Sequence, residues 1–177
     1  MENSSKTSSA EPVSSALPYM DVKPVGAADF YTAVNATFRF IERKLGPAGL
    51  RRYWLDLGRH YYAPVTQRWL TGGLASVASH WRAFFTAEPG AEVEVHETDQ
   101  EVVVEVRTCP AIRFLREHGR EIVPCFCQHC YHVNTAMGEA AGIEMRLSGG
   151  NGRCTQRFAK IGYFPEAQKA EDIATAG

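Results

Sequence analysis

The run Cys125-Phe126-Cys127-Gln128-His129-Cys130-Tyr131-His132 gathers three of the chain's five cysteines and two of its six histidines. Thiols and imidazoles titrate at accessible pH and bind soft or borderline metals. The run therefore reads as a metal site, a nucleophile or a redox centre. On a helix it divides between two faces. Cys127, Cys130, Tyr131 and Asn134 follow i, i+3, i+4, i+7, while Cys125, His129 and His132 follow i, i+4, i+7. The run cannot all converge on one point. Cys125 and Cys127 would sit in the first turn, where unpaired N–H groups and the helix dipole lower a thiol pKa. The other two cysteines flank the run. Cys109 stands where a strand enters a helix, and Cys154 follows a tight hairpin. Cys109, Cys127 and Cys154 are thus expected to share a pocket.

Plainer roles compete. Cys109 or Cys154 can be a small buried hydrophobe. His129 and His132 can be surface or satisfied residues. Cys127 and Cys130 have C-x-x-C redox spacing, but the βαβ setting of such pairs is missing. A zinc finger would need a second, distant ligand pair. In a metal variant, Cys127, Cys130 and Cys154, or Cys109, hold Zn²⁺.

The elements that must position these residues follow from periodicity. Residues 1–24 are polar and Ser-rich and read as a disordered tail. Residues 25–164 read as a single α+β domain, and 165–177 as a flexible C-terminal tail. Asp29 can cap a helix with an apolar stripe through Phe30, Val34, Phe38 and Ile41, which Gly46-Pro47 ends. Pro47 can open a second helix carrying Leu50, Tyr53, Trp54 and Leu57. Further helical segments cover Val65 to Leu70 and about Leu74 to Phe85. Their aromatics, Trp54, Tyr61, Tyr62, Trp69, Trp81, Phe84 and Phe85, read as core or as the interface of a homodimer rather than a ligand pocket. Period-two alternation over 92–97 and 101–107 predicts a hairpin turning at Thr98-Asp99-Gln100. Helices follow over 111–118 and from Pro124 through about Ala141. Strands 143–147 and 154–161, joined through Asn151-Gly152, predict a second hairpin. The expected architecture is α+β: N-terminal helices packed with a small, mostly antiparallel sheet of two hairpins plus two C-terminal-half helices.

Composition narrows the function. The chain has 177 residues, is 45% hydrophobic and carries a net charge of −1. Nothing in that balance favours nucleic acid or an anionic membrane. No apolar run approaches the ~20 residues of a membrane span. The N-terminus lacks a signal peptide's apolar segment, so a reducing cytoplasm is expected. An odd cysteine number argues against a pure disulfide framework.

Three separated pieces carry a resemblance: Val106-Arg107-Thr108-Cys109-Pro110, then Phe126-Cys127, then Gly149-Gly150-Asn151-Gly152-Arg153-Cys154-Thr155-Gln156-Arg157-Phe158. In this order they resemble the L-2-amino-thiazoline-4-carboxylic acid hydrolase-like proteins, over roughly residues 28 to 160. The resemblance implies a cytoplasmic enzyme that opens a C=N bond in a small cyclic amidine or thiazoline. One departure matters. Where the family often carries an Asp three residues after the helix-start Cys, this chain has Cys130. That change favours metal binding or a different substrate.

The expected mechanism places a Cys127 thiolate on the ring carbon. His129, His132 or His96 transfers the proton. Arg146 or Arg157 binds a substrate carboxylate, with Asn134 beside it. The metal form uses zinc-activated water. The competing class is a small-molecule or metal-binding sensor module of the same fold without catalysis. A structural zinc site in an interaction protein is a third option.

Overall fold

The computed structural model describes residues 26–176; the N-terminal tail expected over 1–24 lies outside them. The chain forms α1 (Phe30–Asp56), a π-helical turn (Leu57–Tyr61), α2 (Ala63–Ala87), β1 (Glu92–Glu97), β2 (Glu101–Thr108), α3 (Pro110–Glu117), α4 (Gln128–Ala141), β3 (Ile143–Gly150) and β4 (Arg153–Lys160). A 3₁₀ turn, Ala170–Asp172, follows. The α+β architecture expected from sequence is present.

The expected break at Gly46-Pro47 is present as a kink within α1, and a second kink divides α2 at Gly73. Gly46 interrupts α1 at φ 70°, ψ −179°, and Gly73 interrupts α2 at φ 58°, ψ −148°. Only glycine enters such backbone cheaply. Pro47 then restarts a helix whose first turn has no use for its missing N–H.

The strands pair antiparallel in the order β1-β2-β4-β3. Asn151 and Gly152 both take positive φ, 54° and 98°, as the tight β3–β4 turn requires. Alternation decides which side chains meet the helices. Val102, Val104 and Val106 of β2, Ile143, Met145 and Leu147 of β3 and Phe158 of β4 are buried. The helices α2 and α4 pack against this sheet, and α1 packs on α4. Trp54 and Trp69 are buried in the core between these layers, as the bulk of the N-terminal aromatics was expected to be. The opposite sheet face carries Glu94, His96, Arg107, Arg146 and Arg157.

Helix α4 begins later than its sequence suggests. Residues 124–127 form turns, and Cys127 is the N-cap residue. In a helix the Pro124 carbonyl would accept the Gln128 N–H. Here it accepts the Ala176 N–H at 2.8 Å, and Gln128 N–H bonds the Cys125 carbonyl at 2.9 Å.

The C-terminal segment supplies the Ala176 N–H of that bond. Residues 165–176, expected to be a flexible tail, are seated along β3. Ile173 and Ala176 are buried. Ala174 bridges Gly150 in parallel, and the Gln168 side chain bonds both the N–H and the carbonyl of Leu147. An edge strand's backbone groups are thereby occupied.

Candidate thiol site

The cysteines sit at the junctions of elements. Cys109 is the N-cap of α3, and its N–H donates to the Gly152 carbonyl at 2.9 Å. This bond ties the end of β2 to the β3–β4 turn. Cys127 caps α4, Cys130 lies in its first turn, and Cys154 lies on β4 across from Gly149. The four thiols lie within electrostatic reach of one another: each of Cys109, Cys130 and Cys154 senses other members of the group. All four are partly exposed and free. Cys130 joins Cys109, Cys127 and Cys154 within this reach, but no three of the four sulfurs lie mutually within 4.8 Å.

Burial governs their chemistry. It pushes all four thiols up, because a thiolate loses solvation there. The Cys154 thiol is pushed up to about 12 by burial first, then by Cys109 and Cys127. Cys130 is raised well above its usual value, again by burial first. Two thiols have countering groups. The Asn151 N–H donates to Cys127 Sγ at 3.3 Å, and the Gly152 N–H and the Arg116 charge also favour that thiolate. The Ile112 and Ala111 N–H groups and Arg116 do the same for Cys109. The groups that favour the Cys127 thiolate are the β3–β4 turn and Arg116 rather than the start of α4 expected from sequence, and Cys125 is pushed up to about 11 by burial and Glu42.

Asn134, expected at a substrate, is buried and donates to Gln156 Oε1 at 3.1 Å. Gln156 in turn approaches Cys154 Sγ at 4.0 Å through its Nε2. Asn134 therefore orients the amide beside Cys154.

The expected histidines lie on the other face of α4. His132 stacks on Trp54 with ring centroids 5.7 Å apart. His129 packs on Phe38 at 5.2 Å, and its Nδ1 lies 3.7 Å from Cys130 Sγ. Both are pulled down to about 4: His129 by burial and then His132, His132 by burial and then Arg51. At neutral pH they are uncharged. Cys125 shares their side and donates to Glu42 Oε1 at 3.6 Å. The two-face division of the run is observed, and only His129 reaches back to a member of the thiol group.

Arg146 and Arg157 are not at the thiols. Strand alternation puts Arg157 on the sheet face opposite Cys154 and Gln156. Arg157 pairs with Glu101 at 2.7 Å, and Arg146 donates to the Glu166 carbonyl at 2.6 Å. Both lie over the Phe164 ring and flank an outer-face cleft of about 310 Å³. His96 is on that outer face too, 3.5 Å from Glu94.

A cation that favours the Cys109 and Cys127 thiolates is Arg116, which the sequence reading missed. It stands seven residues after Cys109, two helical turns on, and that spacing was the available signal. Arg116 bonds Asn151 through both its side-chain oxygen and its carbonyl. Tyr31 was missed as well. Its hydroxyl donates to the buried Glu88, and it lies within electrostatic reach of Cys109 and Cys130. Burial, then Glu88, raises its pKa.

The donor set suits a soft cation, since thiolates are the ligands such ions prefer. The spacing is looser than a closed site. Among the described residues, the potential ligand atoms that lie mutually within 4.8 Å are those of Glu94, His96 and Glu105, where Arg107 already pairs with Glu94 at 3.0 Å. A comparison with protein-family models found no match, and neither a comparison with curated proteins nor one with solved structures found any.

Proposed function

We propose that this chain binds a soft divalent cation, zinc first, through Cys109, Cys127, Cys130 and Cys154. The observation that carries this reading is that four free thiols from three separate elements lie within electrostatic reach of one another. Burial holds each thiol protonated, which counts against a free thiolate nucleophile at neutral pH. A cation reverses that balance, because its charge replaces the lost solvation and displaces the protons. Tetrahedral zinc, with Zn–S near 2.3 Å, needs sulfurs about 3.8 Å apart. Binding must therefore draw the thiols inward. The N–H donors at Cys109 and Cys127 would then act as outer-shell support for the ligands. Reduced thiols of this kind fit a reducing compartment such as the cytoplasm.

The hydrolase reading stays as the second one, with a small cyclic amidine or thiazoline as substrate. Its support is the environment of Cys127: N–H donors on its sulfur, Arg116 nearby for an anionic group, and partial exposure. A bound cation with one open position would supply an activated water there. The binding module without catalysis needs only the four thiols.

Metal analysis of protein purified under reducing conditions tests the first reading. One zinc per chain is expected. Serine at Cys109, Cys127, Cys130 or Cys154 should weaken binding by roughly 10- to 100-fold or more. Cys125→Ser should leave it unchanged. No bound metal, or equal damage from Cys125→Ser, would remove the proposal. Turnover of cyclic amidines lost on Cys127→Ser, with metal still bound, would favour the hydrolase.

A further inference from the structure

The sheet face turned away from the helices carries a separate group of possible ligands. On β1, Val93 and Val95 pack against the core, so alternation turns Glu94 and His96 outward. Glu105 of β2 is the direct cross-strand partner of Glu94. One ligand atom from each of the three, a ring nitrogen and two carboxylate oxygens, lies within 4.8 Å of the others. His96 Nε2 is 3.5 Å from Glu94 Oε2. That is longer than an ordinary N–H···O hydrogen bond, about 2.7–3.2 Å. It is close to the edge of a zinc tetrahedron, about 3.4 Å for Zn–N and Zn–O bonds near 2.1 Å. The other oxygen of Glu94 has its own partner, because Arg107 Nη2 holds Oε1 at 3.0 Å. The carboxylate is thereby oriented with Oε2 toward His96.

We propose that Glu94, His96 and Glu105 bind a divalent cation of borderline softness, zinc first, independently of the thiols. Imidazole suits such an ion, and zinc takes carboxylate oxygens beside it. Two carboxylates directly opposed across an antiparallel pair repel each other. Arg107 offsets the charge of one, and a cation between them offsets both. The strands supply a fixed scaffold. Val95 pairs with Val104 and Val93 with Val106, and these valines pack in or against the core. The ligands therefore project from a backbone that binding need not move. Arg107 is the outer-shell partner that keeps the Glu94 carboxylate in place. Three protein ligands leave the remaining positions to water or to a small anion from solution. Glu94 and His96 are exposed and Glu105 is half-buried. An ion here exchanges readily with solvent, so the site fills when zinc is supplied and empties on purification.

The ring nitrogens of His96 read this site alone. In the full chain, zinc added under reducing conditions should shift the His96 Nε2 resonance in long-range ¹H–¹⁵N NMR and saturate at one ion per His96. Glu105→Gln and Glu94→Gln should each weaken that response at least tenfold. Both keep the side chain's size at an outward position, and circular dichroism of each variant checks that the fold is retained. Cys154→Ser, which damages the thiol site, should leave the His96 response unchanged. A His96 resonance unmoved by a large excess of zinc overturns the proposal. A response within twofold of the parent in both glutamate variants also overturns it, because a single histidine would then be taking an adventitious ion only. A response lost in Cys154→Ser would assign the ion to the thiols and overturn it as well.

Discussion

Cys127 sits under two opposed influences. Burial raises its thiol pKa, while the Asn151 and Gly152 N–H groups and Arg116 lower it. Cys130 has no comparable set of donors and is driven further up. Thiol reactivity follows the thiolate fraction. Iodoacetamide at neutral pH should therefore modify Cys127 and Cys109 several-fold faster than Cys130, as mass spectrometry of labelled peptides would read. Arg116→Gln should slow the first two and not the third. Labelling led by Cys130 would mean that the N–H donors and Arg116 do not govern this site. The histidines give a second prediction at this scale. His132 is 4% exposed and stacked on Trp54, and its pKa falls from 6.5 to about 4 through burial and then Arg51, with Glu171 opposing. A depressed folded-state pKa means that the neutral ring's contribution is complete above pH 6.5. It is lost as pH falls through about 4. At about 1.4 kcal/mol per pKa unit, roughly 2–3 kcal/mol is at stake for this residue. Urea unfolding between pH 7 and 4 should show that decline, and His132→Gln should reduce it while leaving the part that His129 contributes over the same range. A flat profile in the parent chain would show that the ring protonates freely.

The elements around the site were legible in sequence where one local rule decided them. Asn151-Gly152 fixed a hairpin turn because both positions need positive φ, and the valine alternation over Glu101–Thr108 marked the buried face of β2. The placement of Cys109, Cys127 and Cys154 at the edges of α3, α4 and β4 could be read in the same way. Contacts between distant segments were not legible. Nothing local shows that Ala176 would take the Pro124 carbonyl and so delay the start of α4. Nor does the sequence of β4 say that Arg157 has Glu101 for a partner, although its parity with Cys154 already put the two on opposite faces. The π-helical turn is another such case. Gly58 there approaches α4 so closely that a Cβ would lie 2.5 Å from the Val133 carbonyl oxygen and 2.8 Å from the Ala136 Cβ. Ala136 and Val133 are themselves buried and have little room to yield. Gly58→Ala should cost about 1–3 kcal/mol by overpacking, seen as a lower denaturant midpoint with the slope unchanged. Since α4 carries Cys127 and Cys130, the same variant should weaken zinc binding. A neutral effect on the midpoint would mean that the two helices slide apart without cost.

Across the whole molecule the thiol site joins parts that are far apart in the chain. Cys109 caps α3, Cys127 and Cys130 open α4, and Cys154 lies in β4, so a cation there would connect both hairpins to the helical layer. The helices are also held to the sheet by apolar burial that needs no metal, through Trp54, Trp69, Phe158 and Leu147 among others. The chain should thus fold without metal and gain stability with it, unlike a small domain that depends on its ion. The gain follows from mass action. Free zinc at 100 times its dissociation constant adds about 2.7 kcal/mol, provided that the unfolded chain does not bind it. For a domain of this size, each kcal/mol moves the thermal midpoint by about 2–4 °C. Zinc should therefore raise the midpoint by about 5–10 °C under reducing conditions, and a chelator should reverse the shift. The shift should shrink as pH falls, because protons and the cation compete for the same sulfurs. Cys125→Ser should keep the full shift, while Cys154→Ser should lose most of it. A midpoint indifferent to zinc at neutral and mildly alkaline pH would leave the four thiols as buried small side chains that happen to be neighbours.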